Sequence, residues 1–536
     1  MSLQRKVRIA RRDEAGFAIV LAVALMALIS IVAVALPLLV QGEDSKSRRD
    51  QAQDGAYQAA EAGTNAVLSD LTQDNQFFDR LMAKGEATRY NPNTGTTFTN
   101  NCVTGSSSTT QSTCSDKDVS GSTWTTWTYP TAKTSDTTGW YSLGNGYQYL
   151  INITSPKSQG LSGLAEEITT IDVTGRPYGS TNVSQWRTIE TMIRPSSLTD
   201  FQAFTAENLA YGSTATTLGP IFVGQDAAGN TGSLIHQGTA DANMYAQGTV
   251  SCQGCTKGFG VRTYDSTTNP TALCELNNCA PILFSSFAGT FANVSNVAQT
   301  EGSPSPFVLG TTDPNNSDLV QNNGGNVDAW KLDFGYPTAN QVTIWSCRKY
   351  NSSTPVWDST YQPTCGDQVA EPLLSKTEIY SATDVIVYGV VKGLDTVASA
   401  GNVIYGGNTT YNTPGVDVLG VEATGNIIVA QWAVDSHHNI TIYSAQFALN
   451  GAFESDPNYG GYASGTLTFY GSTAVYGIPY GTSTSCPNTS TTDCTILFSG
   501  FFSTRSYNYD ENLLFVQPPD FPSLGNNFKI LVQRQL

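Results

Sequence analysis

The stretch FAIVLAVALMALISIVAVALPLLV, Phe17–Val40, decides how this chain is organised. It has 24 residues and no charged side chain. At about 1.5 Å of rise per residue, a helix of this length measures roughly 36 Å, which is enough to cross a bilayer. The sequence therefore predicts a single membrane-spanning helix close to the N-terminus.

The residues before the apolar run are basic, and a small residue stands directly in front of the run. The basic side chains are Arg5, Lys6, Arg8, Arg11 and Arg12. A secretory signal peptide has a shorter apolar core with its small-residue cleavage site behind it. Here Gly16 precedes Phe17, so cleavage at this point would leave the helix on the protein. The basic leader predicts a cytoplasmic N-terminus, also for the alternative of an ordinary signal anchor.

This arrangement resembles the class III signal of type IV pilins and pseudopilins. The resemblance implies that a prepilin peptidase cuts between Gly16 and Phe17 and that the new N-terminal Phe17 is methylated. Pro37 lies where pilin helices often carry a proline. Most pilins have a glutamate at the position of Leu21, and this glutamate pairs with the N-terminal amine of a neighbouring subunit. Its absence is known in some minor, tip-located subunits.

The segment DQAQDGAYQAAEAGTNAVLSDL, Asp50–Leu71, continues the N-terminal helix with a stripe of small residues. Its centre resembles the QAAEAG signature of PilX-type minor pilins, carried by Ala59, Ala60, Glu61, Ala62 and Gly63. The resemblance implies contacts with other pilin subunits in a filament core, where alanine permits close helix packing. An Ala-rich helix that packs only on its own domain is the alternative.

Composition indicates an exported, β-rich protein of more than one domain. The chain has 536 residues, of which only 13% are charged, and its net charge is −17. Loss of the leader, with its five basic and two acidic residues, would leave −20. So acidic a body does not bind nucleic acid by counterion release.

The ten cysteines fall into five pairs that are close in sequence, and none lies in the N-terminal helix. The predicted disulfides are Cys102–Cys114, Cys252–Cys255, Cys274–Cys279, Cys347–Cys365 and Cys486–Cys494. Zinc is the competing interpretation of the CxxC at Cys252 and Cys255, but no second ligand pair lies nearby. A redox-active CxxC is a further alternative, although no helix-forming sequence follows it.

Four segments follow from these patterns: a leader at 1–16, a long helix at 17–86, a pilin-like sheet with a Ser/Thr-rich loop at 87–200, and a head at 201–536. Alternating apolar residues predict strands at 147–154, 167–174 and 186–194. A long N-terminal helix followed by a small antiparallel sheet is the α+β pilin fold.

The head reads as all-β, and a parallel β-solenoid is the predicted architecture. Short apolar runs recur between Gly and Asn turns. They are 219–223, 232–235, 384–388, 402–405, 425–429, 439–443 and 466–470. Gly and Asn are expected at the corners, where left-handed backbone angles are needed. A β-sandwich or jelly roll is the alternative. The last 100 residues resemble bacterial envelope proteins of unsettled activity that join a pilin-type N-terminus to a β-solenoid.

No cluster in the sequence predicts catalysis, a metal or a cofactor. The run Asp435–Asn439 holds two histidines and reads best as a polar turn before a strand, rather than a metal site or a triad. His236 reads as a half-buried strand residue. The Asp- and Asn-rich run 313–328 offers oxygen ligands for calcium without the EF-hand order, so a solvated loop is the better interpretation.

The sequence thus predicts a structural minor pilin or pilin-like protein of a type IV pilus or type II secretion-like machine, and not an enzyme. It would sit in the cell membrane by one helix and then reach the cell surface or a filament tip. Its partners would be other pilin subunits, the prepilin peptidase, the membrane and a glycan or protein receptor, but not nucleic acid. The alternative is a pilin-anchored extracellular carbohydrate-active enzyme with a β-helix catalytic domain.

Overall fold

The computed structural model describes most of the head and the centre of the N-terminal module. The described residues are 21–30, 46–68, 87–91, 96–99, 113–114, 127–128, 140–154, 168–213, 215–266, 282–300, 307–313, 326–336, 338–348, 363–374, 376–455, 462–477, 483–485, 495–497 and 502–536. Three α-helices lie among them: α1 at 21–30, α2 at 46–68 and α3 at Gly289–Thr300. The described residues are mostly β-structure, as the sequence predicted for the body of the chain.

An antiparallel sheet follows the N-terminal helices. Its strands are β1 (Ala87–Asn91), β2 (Thr96–Thr99), β5 (Tyr141–Ser142), β6 (Tyr147–Thr154), β7 (Thr169–Pro177), β8 (Arg187–Ser197) and β35 (Ser523–Gln535). The main order is β2-β1-β6-β7-β8-β35, with β5 pairing on β6. Strands β6, β7 and β8 are the three that the sequence predicted. A two-stranded pair, β3 (Thr113–Cys114) with β4 (Trp127–Thr128), lies within 87–138, the Ser/Thr-rich span that was predicted to be loop, as do β1 and β2.

The C-terminal strand β35 belongs to this sheet, whereas the sequence assigned all of 201–536 to the head. β35 pairs antiparallel with β8, and Lys529 lies opposite Arg194. The alternating pattern of β35 shows only that it is a strand. Its partner is about 330 residues earlier in the chain, so no local signal identifies it. The head is therefore an insertion between two neighbouring strands of the N-terminal sheet.

Helix α2 packs on this sheet through small residues that let its backbone come close to the strands. Ala59 and Ala60 are fully buried against a sheet core that includes Ile151 and Val173. The same face carries Gly63, where an added Cβ would lie 2.7 Å from atoms of Tyr149 and Val173. Small side chains on the helix are thus required by its own domain.

The head is built from parallel strands that stack level upon level. One stack runs β19 (Val308–Leu309), β23 (Lys376–Ser381), β25 (Leu394–Ser399), β27 (Val418–Ala423), β29 (Ile440–Ala448), β31 (Tyr462–Val475), β9 (Ala203–Thr205), β12 (Ile221–Val223), β15 (Met244–Ala246) and β18 (Thr263–Asp265). A second runs β20 (Ala329–Phe334), β24 (Asp384–Val391), β26 (Val403–Tyr411), β28 (Ile427–Val429) and β30 (Phe453–Ser455). Each of the predicted apolar runs is one of these strands or overlaps one, apart from 232–235.

Shorter parallel stacks complete the levels. Near the head's entry they are β10 (Leu209–Tyr211), β13 (Leu234–His236) and β16 (Val250–Cys252), and β11 (Thr216–Thr217), β14 (Thr239–Ala240) and β17 (Thr256–Lys257). The run 232–235 leads into β13. Strand β34 (Phe502–Tyr509) pairs with β31. A separate hairpin is β32 (Ser483–Ser485) with β33 (Thr495–Leu497). The inward side chains form one continuous apolar core.

The levels do not follow chain order, although in a simple β-solenoid each strand stacks on the one a coil earlier. β9 pairs with β12 on one side and with β31, about 270 residues later, on the other. The strands of residues 203–265 thus run from the middle of the stack, at β9, to one end, at β18. The later strands start at the other end, at β19, and reach β9 with β31. Helix α3 packs on β23 and β25, near the β19 end of the stack, and it lies between β18 and β19 along the chain.

Two antiparallel strands are added beside β20: β21 (Gln341–Arg348) and β22 (Thr364–Pro372). The disulfide Cys347–Cys365 joins them at directly opposed positions. The pairing and the disulfide make this edge of the second stack a rigid extension of the sheet.

The predicted Gly and Asn corners exist, and left-handed backbone occurs at His438 but not at Gly401 and Gly425. Asn402 Oδ1 accepts a hydrogen bond from the Asn426 amide at 2.8 Å, one level away. The positive-φ residues do not include Gly401 or Gly425. An added Cβ at Gly425 would instead lie 2.5 Å from Asn402 Oδ1. Glycine is needed here because the asparagine of the adjacent level occupies the space.

A buried ion pair lies where the chain passes from the sheet into the head. The Arg194 guanidinium is fully buried and is paired with Asp200. It also donates to the carbonyl oxygens of Leu514 at 2.7 Å and Pro195 at 2.6 Å. Lys529 Nζ lies 3.2 Å from Asp200 Oδ1, and burial lowers the pKa of Lys529. This cluster connects β8, the segment around Leu514 that leaves the head, and β35.

Candidate functional site

Three half-buried aromatic side chains lie on the outer side of the second stack, where two of them, Trp345 and Trp432, pack against the same buried cluster. They are Trp345 on β21, Tyr388 on β24 and Trp432 in the short 3-10 turn that follows β28. We call these three residues the aromatic platform. Strand alternation turns Leu332 and Phe334 of β20 into the main core, whereas Lys331 and Asp333 face outward beside the platform. The platform therefore combines flat rings with one cation and one carboxylate.

Lys331 lies between two of the rings. Its Nζ is 4.4 Å from the centroid of Trp345 and 5.3 Å from that of Tyr388, which are cation–π distances. Burial lowers the pKa of Lys331, while nearby Asp333 acts in the opposite direction. Burial raises the pKa of Asp333, and a hydrogen bond from the Tyr388 hydroxyl opposes that rise. The charges are thus held close together in a partly desolvated setting.

Trp432 packs directly on the backbone of β26. An added Cβ at Gly406 would lie 3.0 Å from two atoms of the Trp432 indole and 2.6 Å from Ile386 Cγ2. Gly406 has no positive φ, so the close approach of Ile386 and then of the indole is what requires glycine there. Beneath the ring, Ile386 and Ile404 form a buried ladder. The sequence pointed to abundant aromatic residues in general, but had no signal that brings these three together.

A shallow cavity of about 260 Å³ at the turns that follow β9 and β12 holds two carboxylates, Glu207 and Asp226. Burial, and then the charge of Asp226, raises the pKa of Glu207. Hydrogen bonds, first from the Asn230 side chain, lower the pKa of Asp226. Carboxyl groups whose pKa values are driven apart are characteristic of acid–base pairs. This is the arrangement among the described residues that comes nearest to a catalytic site.

The hydrogen bonds of Asp226 nevertheless serve its own loop. Its Oδ1 accepts from the amides of Ala228 at 2.9 Å and Asn230 at 2.7 Å. Asn230 Nδ2 donates to Oδ2 at 2.7 Å. These contacts account for the ionised Asp226 as a loop-capping residue.

The same loop occurs at Asp435–Asn439, the histidine-containing run of the sequence. Asp435 Oδ1 accepts from the amides of His437 and Asn439, both at 2.8 Å. His438 has a φ of 62°, at the position where the other loop has Gly229 with a φ of 87°. The run is thus a polar turn before β29, as predicted. Within the described ranges no three His, Cys, Asp or Glu side chains are grouped to hold a metal ion. Most of the calcium candidate, 314–325, lies outside the described residues.

His236 is fully buried, and the expectation of a half-buried residue is wrong. Its Nε2 lies 3.2 Å from Thr217 Oγ1, and its ring stacks on Tyr211 at 5.1 Å. Burial lowers the pKa of His236 to about 4, so the ring is neutral at ordinary pH. The burial arises because β13 is covered on both sides by neighbouring levels, which a single strand pattern does not reveal.

Two of the five predicted cysteine pairs are disulfides in the structure: Cys252–Cys255 and Cys347–Cys365. The disulfide at the CxxC removes the thiolates that zinc would need. The three other pairs each include at least one cysteine outside the described residues and stay predictions.

The predicted processing and assembly residues are only partly described. Gly16, Phe17 and Pro37 lie outside the described residues, while Leu21 is 57% exposed on α1. Of the signature on α2, Ala59, Ala60 and Gly63 face the molecule's own sheet, Ala62 is half-buried, and Glu61 points to solvent. A role of these residues in assembly stays a prediction. None of the helical segments that are described is both apolar enough and long enough to span a bilayer.

Comparisons with known proteins add little to these observations. No protein-family model matches this chain, and no curated protein is recognisably similar to it. The solved structure of the competence-associated pilin ComZ from Thermus thermophilus is similar at 12% sequence identity. The match covers 90% of this chain and 97% of that chain, with a TM-score of 0.28. A TM-score this low does not establish a common fold.

Proposed function

We propose that this chain is a pilin-type surface protein, a minor subunit of a type IV pilus or type II secretion-like machine that carries a large ligand-binding head. The observation that carries the proposal is the order of its N-terminal parts. The Gly16–Phe17 leader site precedes an apolar run, and α2 then docks across the antiparallel sheet β6-β7-β8-β35. The prepilin peptidase would release a mature chain that begins at a methylated Phe17.

The exposed apolar side chains of helix α1 indicate that lipid or protein, and not water, surrounds this part of the chain. Its large apolar side chains, Leu21, Val23, Leu25, Met26, Leu28 and Ile29, are 56% to 64% exposed. A contiguous apolar surface of this kind needs lipid or other protein against it. In our proposal the membrane covers it first, with the N-terminus in the cytoplasm, and other pilin subunits cover it once the chain enters a filament.

The head supports a position at or near the filament tip. Its stacked parallel strands favour a β-solenoid, which leaves the side of the N-terminal sheet between β8 and β35 and is bulky relative to it. A subunit with Leu21 offers no carboxylate to the amine of its neighbour, and an unpaired charge in a low-dielectric filament core is costly. Both features favour a subunit that is present in few copies per filament, at the end where no earlier subunit needs a carboxylate for its N-terminal amine.

A pilin-anchored carbohydrate-active enzyme is the second candidate, and the divergent pKa values of Glu207 and Asp226 are its one supporting observation. An enzyme would release reducing ends or unsaturated products from a polysaccharide, and Glu207→Gln would abolish that release. The binding role is favoured because the loop hydrogen bonds account for Asp226 without catalysis.

The decisive experiment measures this chain in purified filaments. Quantitative mass spectrometry of sheared pili should find it at a small fraction of the major subunit, with immunogold against the head at filament ends. A Gly16→Leu strain is the control, in which the precursor stays in the membrane and filaments lack the label. Abundance equal to the major subunit, or even labelling along the shaft, would refute the tip position. Absence from the surface and from filaments would refute the pilin assignment.

A further inference from the structure

We propose that the aromatic platform, Trp345, Tyr388 and Trp432, binds an uncharged oligosaccharide. The inference rests on the proposed function of the head as a ligand-binding domain and names the surface and ligand class that carry it out. The central observation is Trp432. The six-membered ring of its indole lies against the backbone at Gly406, and the residue is only half-buried.

The chemistry of the platform matches that of a sugar ring. A pyranose presents a face of C–H groups that packs on a flat aromatic ring, and a rim of hydroxyls that need hydrogen-bond partners. Aromatic residues with a polar tip suit surfaces that are apolar at one end and wet at the other. Lys331 supplies donors, Asp333 supplies acceptors and the Tyr388 hydroxyl supplies both, all beside the rings. Binding sites characteristically combine apolar walls with a few such groups.

The charge of the platform favours a neutral ligand. Lys331 and Asp333 offset each other, so the site offers no net positive charge to a sulfated or carboxylated polymer. The whole chain is acidic, with a net charge of −17, and repels polyanions at long range. A ligand with hydroxyls and no charge makes use of both groups without leaving either one uncompensated.

The size of the platform favours a short glycan over a folded protein. The rings span β21, β20, β24 and β26, which at about 4.8 Å between strands is roughly 14 Å. A stable protein interface buries about 800 Å² on each partner, far more than three half-buried rings offer. A few sugar units fit this length.

The platform is also rigid before any ligand arrives. Trp345 lies two residues from Cys347, whose disulfide to Cys365 locks β21 to β22. Backbone pairing fixes the strands that carry Lys331, Asp333 and Tyr388. Preorganisation lowers the entropic cost of binding.

The test uses the purified full chain in detergent on an array of neutral and acidic oligosaccharides, followed by tryptophan-fluorescence titration with the strongest neutral binder. Trp432→Ala and Asp333→Asn should each weaken binding at least tenfold. Tyr178→Ala, which removes an exposed aromatic ring from the N-terminal module, should leave the Kd unchanged. Near-ultraviolet circular dichroism checks folding, and Trp432→Phe replaces Trp432→Ala if the latter does not fold.

Three results would overturn the proposal: binding confined to charged glycans, neutral binding that survives Trp432→Ala, or no glycan bound at millimolar concentration. Capture of a protein partner or a second copy through the platform, without glycan, would overturn it as well. Filament analysis of the Trp432→Ala strain separates the two proposals. If the platform binds glycan but the chain is not a pilin, Trp432→Ala abolishes glycan binding and the protein is absent from filaments. If the chain is a pilin but the platform does not bind glycan, the protein is found in filaments and Trp432→Ala has no effect on glycan binding.

Discussion

Replacement of Arg194 by methionine should release the C-terminal strand β35 from the N-terminal sheet. The substitution keeps much of the apolar stem and removes the guanidinium that pairs with Asp200. It also leaves the carbonyl oxygens of Leu514 and Pro195 without their donor. Lys529 and the Ser197 amide, which donates to Asp200 Oδ2 at 3.0 Å, remain with the carboxylate.

The expected loss follows from the burial of this cluster. Removal of one partner of a buried, hydrogen-bonded ion pair costs about 3–5 kcal/mol, and the lower end applies here because Lys529 stays with the carboxylate while the carbonyl acceptors stay desolvated. Arg194 lies on β8 opposite Lys529 of β35, so the loss falls on the pairing of these two strands. An opening free energy lower by about 3 kcal/mol accelerates amide exchange by roughly two orders of magnitude.

Hydrogen–deuterium exchange of the β35 amides is the assay, with Arg534→Met as the matched control. Arg534 lies on the same strand and pairs with Glu190 at 2.7 Å, but its side chain is 58% exposed. An exposed pair contributes at most about 1 kcal/mol, so this control should change exchange by less than tenfold. Equal effects of the two variants, or less than a tenfold effect of Arg194→Met, would refute the view that the buried cluster holds the strand.

Three further predictions concern other parts of the chain. Gly16→Leu should block processing, so that N-terminal mass analysis finds no mature chain beginning after residue 16; cleavage behind the apolar run would contradict the pilin signal. Glu422 is fully buried, burial raises its pKa well above the usual value, and its carboxyl oxygens have no hydrogen-bond partner in the part of the chain that the structure describes. A raised folded-state pKa means that stability is fully present below the unfolded pKa of about 4.3 and is lost as pH rises through the folded value. Glu422→Gln should therefore flatten the decline of Tm above that pH, and an unchanged slope would count against the burial argument. Gly425→Ala should destabilise the head by about 1–3 kcal/mol in urea titration because its Cβ would strike Asn402 Oδ1. Gly289→Ala, at a helical position with nothing within 4 Å of the added Cβ, should be neutral or slightly stabilising, and equal losses in the two variants would refute the steric reason.

The candidate platform illustrates what a single sequence leaves open at the level of a site. Trp345, Tyr388 and Trp432 are far apart in the chain and lie on three different elements. Nothing in their local patterns distinguishes them from the other aromatic residues. The Asp435–Asn439 run, by contrast, was interpreted correctly as a turn, because an Asp that caps the amides two and four residues later is a purely local device.

Local sequence patterns were enough to predict part of the strands and the small-residue face of α2. Alternation located β6, β7 and β8, and short apolar runs located seven strands of the head, because both signals depend on residues within one turn or one strand. Pairing between distant segments was decided only in the tertiary structure. β35 returns to β8 and β9 stacks between β12 and β31, since each strand edge can accept many apolar strands of similar pattern. The burial of His236 and of the Arg194 cluster has the same origin, because it depends on elements that reach those residues from distant parts of the chain.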